Sequence, residues 1–429
     1  MNYQEALAWL DQRQQFTIKL GLETTRTLLA ELGNPQERLQ FIHIAGTNGK
    51  GSVGATLLAI LSTAGYRTGF FSSPHLSEVR ERFRLNNTFI RQDDCARLIA
   101  TVAAALGDQA QPTYFECATL LALLWFAEQQ AEAVILETGM GGRLDATNVV
   151  TPLLSIITDI SYDHEQYLGS TIKAIAGEKA GIIKPGVPVV FSGRVPEALP
   201  VIEARCQQQG SPLSVYGRQF FGRRTGEQNF DYHALSEQVH FGLPLRLQGE
   251  HQVVNTCLAL AALELLVSNF PQASQYLVSG LQQVYWPGRM ERFSINLAEK
   301  TVDVLLDGAH NEAGVAALAH TLKQADPRRV LLLWGNMADK TMGSAYAELL
   351  TMADQIVLTR AESHRSAHPA TLFAQLPETA QRKASCTESV EQALAALQQY
   401  AHPGDLICVA GSLYLVGRVR KLLLGELVA

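Results

Sequence analysis

Leu39-Gln-Phe-Ile-His-Ile-Ala45 leads without a break into Gly46-Thr-Asn-Gly-Lys-Gly-Ser52 and then into Val53-Gly-Ala-Thr-Leu-Leu-Ala-Ile-Leu-Ser-Thr-Ala64. A short β-rich apolar run, a glycine-rich loop and a helix-like run thus follow one another. Gly65-Tyr66-Arg67 then turns the chain into a second strand over 68–72. Strand, loop, helix and strand, with strands that are apolar throughout, suit a buried parallel sheet. In the loop, glycines let successive amides point at one anion, and the helix that begins there adds its positive end. Lys50 is placed to reach the β- and γ-phosphates of a nucleotide, and Ser52 to ligate Mg²⁺. The loop departs from GxxxxGK[ST], because Gly51 separates Lys50 from Ser52.

Outward from this stretch the alternation recurs. A helix is expected over 119–130, strands over 133–137 and 153–158, a helix over 172–180 and a strand over 187–191. That succession predicts a doubly wound α/β sheet. Residues 211–250, aromatic, glycine-containing and polar by turns, read as a small β insertion or edge. A buried helix rich in alanine and leucine is expected over 252–268. Trp286-Pro287-Gly288 breaks both helix and strand, and a fresh alternation begins after it, with strands over 302–307, 330–334, 356–359 and 406–410. The expected architecture is an N-terminal P-loop NTPase-like doubly wound domain, 1–288, and a C-terminal Rossmann-like domain, 289–429.

The 429 residues are 47% hydrophobic and 18% charged, a globular profile. With 35 Lys+Arg against 41 Asp+Glu, the chain lacks the basic balance of a dedicated nucleic-acid binder. Cysteines at 95, 117, 206, 257, 386 and 408 form no CxxC pair and read as buried thiols in a reducing compartment. The most apolar stretches, 117–127 and 257–267, are too short for the roughly 20 residues of a membrane span. Glu5 and Asp11 fall where a signal peptide would be apolar. These features lead us to expect a soluble, cytosolic, monomeric protein.

Further motifs stand in order along the chain: Ser72-Ser73-Pro74-His75-Leu76, Thr113-Tyr114-Phe115-Glu116, Glu137-Thr-Gly-Met-Gly-Gly-Arg-Leu-Asp-Ala-Thr-Asn148, Asp163-His164, Glu178-Lys179-Ala-Gly181, Asp307-Gly-Ala-His-Asn311 and Gly411-Ser412. With Gly46–Ser52 they make the chain resemble the folylpolyglutamate synthase / dihydrofolate synthase family of the Mur-ligase-like superfamily over nearly its whole length. The stretch from Arg143 to Asn148 agrees with members that use dihydropteroate, which suggests a bacterial bifunctional enzyme.

The resemblance implies an ATP-dependent ligase that joins L-glutamate to dihydropteroate, to reduced folates or to both. The reaction would pass through an acyl phosphate, releasing ADP and phosphate, because a free carboxylate is a poor electrophile. Phosphoryl transfer asks mainly for positioning and charge neutralisation. Accordingly Gly46, Thr47, Asn48, Gly49, Lys50, Gly51 and Ser52 would bind ATP, joined from the other side by Asn255, Arg289 and Asp307. Ser52, Ser73, Glu137 and His164 would hold two Mg²⁺ ions, with Lys179 as a further ligand if carbamylated; a monovalent cation is also compatible with the family. Lys50, Lys179 and His310 are the catalytic candidates, and His310 and Ser412 the glutamate-binding ones. The pterin or folate would meet Thr17, Ile18 and Lys19, then Thr113, Tyr114, Phe115 and Glu116, then Leu144, Asp145 and Ala146.

Taken without the resemblance, Glu137 closing an apolar strand already favours function, since an acid buried there needs a partner. Lys179 reads equally as a solvated lysine that favours the end of its helix. Two rivals remain: a muramyl-peptide-type amide ligase and a non-catalytic ATP-binding regulator of the same fold. The first usually carries an additional N-terminal domain, for which a nucleotide loop at residue 46 leaves no room. The second predicts ATP binding without the metal set. A dinucleotide dehydrogenase is disfavoured because Gly139-Met-Gly141-Gly142 does not continue as GxGxxG.

Overall fold

The computed structural model describes residues 1–15, 21–106, 111–297, 300–338, 343–360 and 366–425. Thr17, Ile18 and Lys19 lie outside the described residues.

Eight strands build the first sheet: β1 (Phe41–Ala45), β2 (Thr68–Phe71), β3 (Phe83–Leu85), β4 (Thr88–Phe89), β5 (Ala133–Glu137), β6 (Leu154–Ile157), β7 (Val189–Phe191) and β8 (Leu213–Val215). Their order is β4-β3-β2-β5-β1-β6-β7-β8. Pairing is parallel from β2 through β8, and β3 and β4 add an antiparallel edge. Every residue of β1, β2, β5 and β6 is buried. Helices cover both faces, so these strands have no polar side to alternate with. Strand order reverses around β1: β2 and β5 lie to one side of it and β6 to the other. The crevice beyond their carboxyl ends is the switch point where such sheets bind ligands.

Two helices begin earlier than the apolar pattern predicts, each for a local reason. The helix Lys50–Thr63 starts inside the glycine-rich loop because Gly49, at φ +89°, turns the chain through a left-handed conformation just before it. The helix Tyr114–Glu128 starts where Thr113 and Glu116 form a reciprocal capping box.

The segment expected as β insertion or edge is both. β8 is the edge of the first sheet, and β9 (Phe221–Arg224), β10 (Asn229–His233) and β11 (Val239–Pro244) form a separate antiparallel sheet. The helix His251–Leu265 follows, almost wholly buried against Lys50–Thr63.

The last sheet comprises β12 (Glu291–Leu297), β13 (Lys300–Leu306), β14 (Val330–Trp334), β15 (Gln355–Thr359), β16 (Ala384–Thr387) and β17 (Leu406–Ala410), in the order β12-β13-β17-β14-β15-β16. All its pairs are parallel except β12–β13. An apolar layer lies on each face, one around Leu318, Leu332 and Tyr346, the other around Val304, Val409 and Val416. Among the described residues, no helix is long and apolar enough to cross a membrane.

Candidate active site

A cavity of about 690 Å³ lies between the carboxyl ends of the two large sheets. Residues 46–52 line it, together with Ser73, Glu137, His164 and Lys179, and Asn255, Arg289, Asp307 and His310 face it as well. All the residues expected to hold nucleotide and metal therefore converge on one space.

The loop is fixed by its neighbour after β6. Thr47 N–H donates to Asp159 O at 2.7 Å, Thr47 Oγ1 donates to Ser161 O at 3.0 Å, and Thr158 Oγ1 donates to Asn48 O at 2.7 Å. Lys50 folds back, its ammonium donating to Gly46 O at 2.9 Å and Thr47 O at 3.2 Å. The displaced serine has a steric cause: a methyl on Gly51 would stand 2.7 Å from the Trp286 indole. Ser52 Oγ accepts from Gln252 Nε2 at 3.2 Å, and Gln252 Oε1 accepts from Asn255 Nδ2 at 3.0 Å. Gln252 thus orients a loop residue and an expected nucleotide contact together.

Glu137 ends β5, is 4% exposed, and among the described residues has a single weak partner, Ser73 N–H at 3.4 Å from Oε2. Burial pushes its carboxyl up to about 7, against the opposing pull of Lys50 and the Ser73 amide. Lys179, on the helix Ile172–Ala180, is 2% exposed, and its ammonium forms no hydrogen bond or ion pair among the described residues. Burial and Lys50 bring it down to about 7, with Asp163, Asp159 and Asp145 pulling the other way. Asp307, just beyond β13, accepts from Met290 N–H at 2.8 Å and Ala309 N–H at 2.9 Å.

No group of three or more His, Cys, Asp or Glu side chains gathers around a metal position among the described residues. The donors present are instead the hydroxyls of Ser52 and Ser73, the Glu137 carboxylate and the His164 imidazole. Hard oxygen donors few in number suit Mg²⁺, which keeps several waters and shares substrate phosphates. A buried carboxylate without a cation within 4 Å is the observation that fits it best. His164 takes a left-handed conformation, φ +51°, with Nε2 3.9 Å from Asp163 Oδ2.

The two walls touch through side-chain amides. Asn311 Nδ2 donates to Asn48 Oδ1 at 3.1 Å and to Asp163 Oδ2 at 3.2 Å, while Asn311 Oδ1 caps the helix Glu312–Ala325 at Gly314 N–H. His310 Nδ1 lies 2.7 Å from Gly308 O and Nε2 3.7 Å from Asp163 Oδ2. Ser412 does not line the cavity; it is buried as the cap of the helix Leu413–Leu424, accepting from Tyr414 N–H.

Of the residues expected at the pterin end, the described ones, 113–116 and 144–146, lie outside the cavity's lining. Thr113 and Glu116 are engaged in their capping box, and Glu116 also accepts from Thr25 Oγ1. Asp145 is buried and accepts from Met140 N–H, Thr147 N–H and the Thr147 hydroxyl. Ala146 is buried beside it and Leu144 half-buried. Tyr114 lies under the Arg82 guanidinium, 5.4 Å from the ring centroid. Phe115 packs on Phe71, centroids 5.7 Å apart, and presses against Gly139, which faces the cavity from the other side.

Several cavity residues escaped the sequence reading: Asp159, Arg194, His251 and Gln252. Gln252 carried a signal, since it stands three positions before Asn255 on one helix face. Burial, with Arg194, Arg224 and Arg289 nearby, brings His251 down to about 4.

A nucleotide loop and a buried acid faced across one cavity by a second α/β sheet suit an ATP-dependent ligase, and comparison bears this out. Residues 44–263 match the Mur ligase middle domain, and residues 288–413 match the Mur ligase glutamate ligase domain. A Bacillus subtilis dihydrofolate synthase/folylpolyglutamate synthase is 35% identical over 435 residues, covering 98% of each chain. Mycobacterium tuberculosis folylpolyglutamate synthase complexed with ADP superposes with a TM-score of 0.90 at 30% identity, over 100% of this chain and 99% of that one. Escherichia coli FolC in complex with DHPP and ADP gives 0.87 at 31%, over 98% and 97%. The chain belongs to the folylpolyglutamate synthase/dihydrofolate synthase family of ATP-dependent acid–amino-acid ligases.

Proposed function

We propose that this ligase adds L-glutamate to dihydropteroate and to the γ-carboxylate of tetrahydrofolate polyglutamates, as a cytosolic monomer using ATP and Mg²⁺. Residues 1–288 are assigned to ATP and the pterin or folate, and residues 289–429 to closure over ATP and to glutamate. The observation that carries the reading is the convergence of residues 46–52, Glu137, Lys179, Arg289 and Asp307 on one cavity.

In this reading the amides of residues 46–52 cradle the triphosphate, and Lys50 leaves its two carbonyls to meet the terminal phosphates. Ser52, Ser73, Glu137 and His164 hold Mg²⁺, which neutralises phosphate charge as it builds. A carboxylate oxygen of the pteroate or folate attacks the γ-phosphorus, ADP leaves, and an acyl phosphate remains. The glutamate amine attacks its carbonyl carbon, losing a proton, and phosphate departs. Arg289 and His310 reach the reacting groups from the second wall, so the site is complete when both walls are closed. Lys179 is assigned as a carbamate: an unpartnered buried amine near neutrality is available in its neutral form to add CO₂ and lose a proton. For the pterin, Phe115 and Tyr114 offer rings, whereas Asp145 and Glu116, with their oxygens engaged, shape the wall.

ADP release with ATP, Mg²⁺ and L-glutamate tests this directly, with dihydropteroate in one tube and tetrahydrofolate in another. Turnover in both supports the bifunctional reading, and turnover with tetrahydrofolate alone removes the pteroate half. Silence in both, with ATP still bound, overturns it.

A further inference from the structure

A second, small pocket of about 30 Å³ adjoins the main cavity, sharing Pro74, Arg289 and Leu413 with it. Arg84 projects from β3 into this wedge and is 9% exposed. Its guanidinium donates to no acceptor among the described residues, and Nε is buried without a partner. Phe89 and Trp286 flank it, the guanidinium carbon lying 5.6 Å and 5.9 Å from their ring centroids. Such stacking offsets part of the cost of burying a cation but satisfies none of its five N–H groups.

Trp286 Nε1, also buried without an acceptor among the described residues, lies against Gly51 of the nucleotide loop, so Trp286 offers the pocket its ring. His75 lines the same pocket, and its Nδ1 accepts from Arg82 Nε at 2.9 Å, which leaves the ring proton on Nε2. The acid within reach is already engaged: Glu81 spends its carboxylate on the N–H groups of Leu76, Ser77 and Glu78. Buried donors in native proteins are nearly always paired, so a guanidinium with no protein acceptor at this pocket calls for an external one. A planar guanidinium suits a carboxylate in a two-point contact.

We propose that Arg84, flanked by the rings of Phe89 and Trp286, forms a carboxylate-binding subsite beside the reaction cavity. The assignment deepens the ligase reading and rests on it. Two substrates carry the required group: free L-glutamate, whose amine would then face the main cavity across Pro74, and the glutamate tail of a folate.

Two measurements test the subsite. In steady-state kinetics, R84Q is compared with the parent enzyme, using dihydropteroate, which has no tail, and a tetrahydrofolate triglutamate as acceptors. Loss of a charge-assisted contact raises the affected KM by roughly ten- to a hundredfold while the KM for ATP holds. A rise for L-glutamate with dihydropteroate assigns the pocket to the amine donor. A rise confined to the triglutamate assigns it to the tail. Unchanged KM values for both overturn the proposal. Independently of turnover, glutarate is titrated while tryptophan emission is followed. The expected saturable change disappears in W286F and in R84Q; a parent enzyme that binds AMPPCP yet shows no glutarate response in this titration sinks the subsite. Should the parent turn over neither acceptor, the ligase reading fails, and the glutarate titration still decides the pocket.

Discussion

Glu137 and Asp307 hold comparable places in the two sheets: one ends β5, the other directly follows β13, and each faces the same cavity from its own wall. Their surroundings differ sharply. Asp307 receives two good backbone N–H bonds, whereas Glu137 receives one weak one; burial raises both carboxyls, that of Glu137 to about 7, with Arg289 near each. One carboxylate is built into the protein and the other is left short of hydrogen-bond donors. A group satisfied from within serves the architecture first. A group left short serves whatever binds.

The contrast is most exposed by E137Q. Turnover measured as ADP release should fall by at least about a hundredfold, since a metal-ligating charge is lost. Its melting temperature should not fall, because the substitution removes an uncompensated buried acid. A melting temperature several degrees lower would mean that Glu137 is structural after all. D307N should do the reverse. An amide must turn its N–H₂ toward one of two backbone donors, costing about 1–3 kcal/mol in denaturant unfolding. Turnover should fall less than in E137Q; an unchanged stability would break the comparison.

The next effect tests how the nucleotide loop is held to the linker. G51A forces a methyl against the Trp286 ring and should cost about 1–3 kcal/mol. W286L should recover part of that loss, giving a coupling of about 1 kcal/mol in a double-mutant cycle. Strict additivity would separate the two positions.

The smallest effect at neutral pH comes from His43, in β1 beside β5. Its Nε2 lies 2.9 Å from Thr147 Oγ1, and burial with Lys184 nearby brings it down to about 3. The folded state keeps this ring neutral while the unfolded chain protonates it below about 6.5. Its contribution is therefore complete above pH 6.5 and is lost as pH falls toward 3, by at most about 1.4 kcal/mol per pH unit. H43Q should flatten that acid limb in urea titrations and leave pH 8 stability little changed.

Much of this arrangement was readable in the chain. β5 and β14 fall at the limits their apolar runs indicate, because nothing polar interrupts them and glycine or charge stops them. β12 was not foreseen: Glu291–Leu297 alternates and carries charge, since it is an antiparallel edge strand. The hairpin of β3 and β4 is too short to show a period. At the site, motif residues such as Glu137 and Asp307 were legible, whereas Asp159 and Arg194 belong to it only through folding. Their neighbours in space are distant in sequence, and single-chain patterns do not register that. Ser412 was legible as a motif residue, yet its hydroxyl is occupied by its own helix.

Gly51 sits in the nucleotide loop and Trp286 in the linker more than two hundred residues on, yet neither is free to vary alone, because the ring fills the space a side chain at 51 would need. Chimaeras that take the nucleotide loop from one relative and the linker from another would inherit a mismatch invisible to either parent. Grafts within this family should therefore carry the loop and the linker tryptophan together, as one heritable unit.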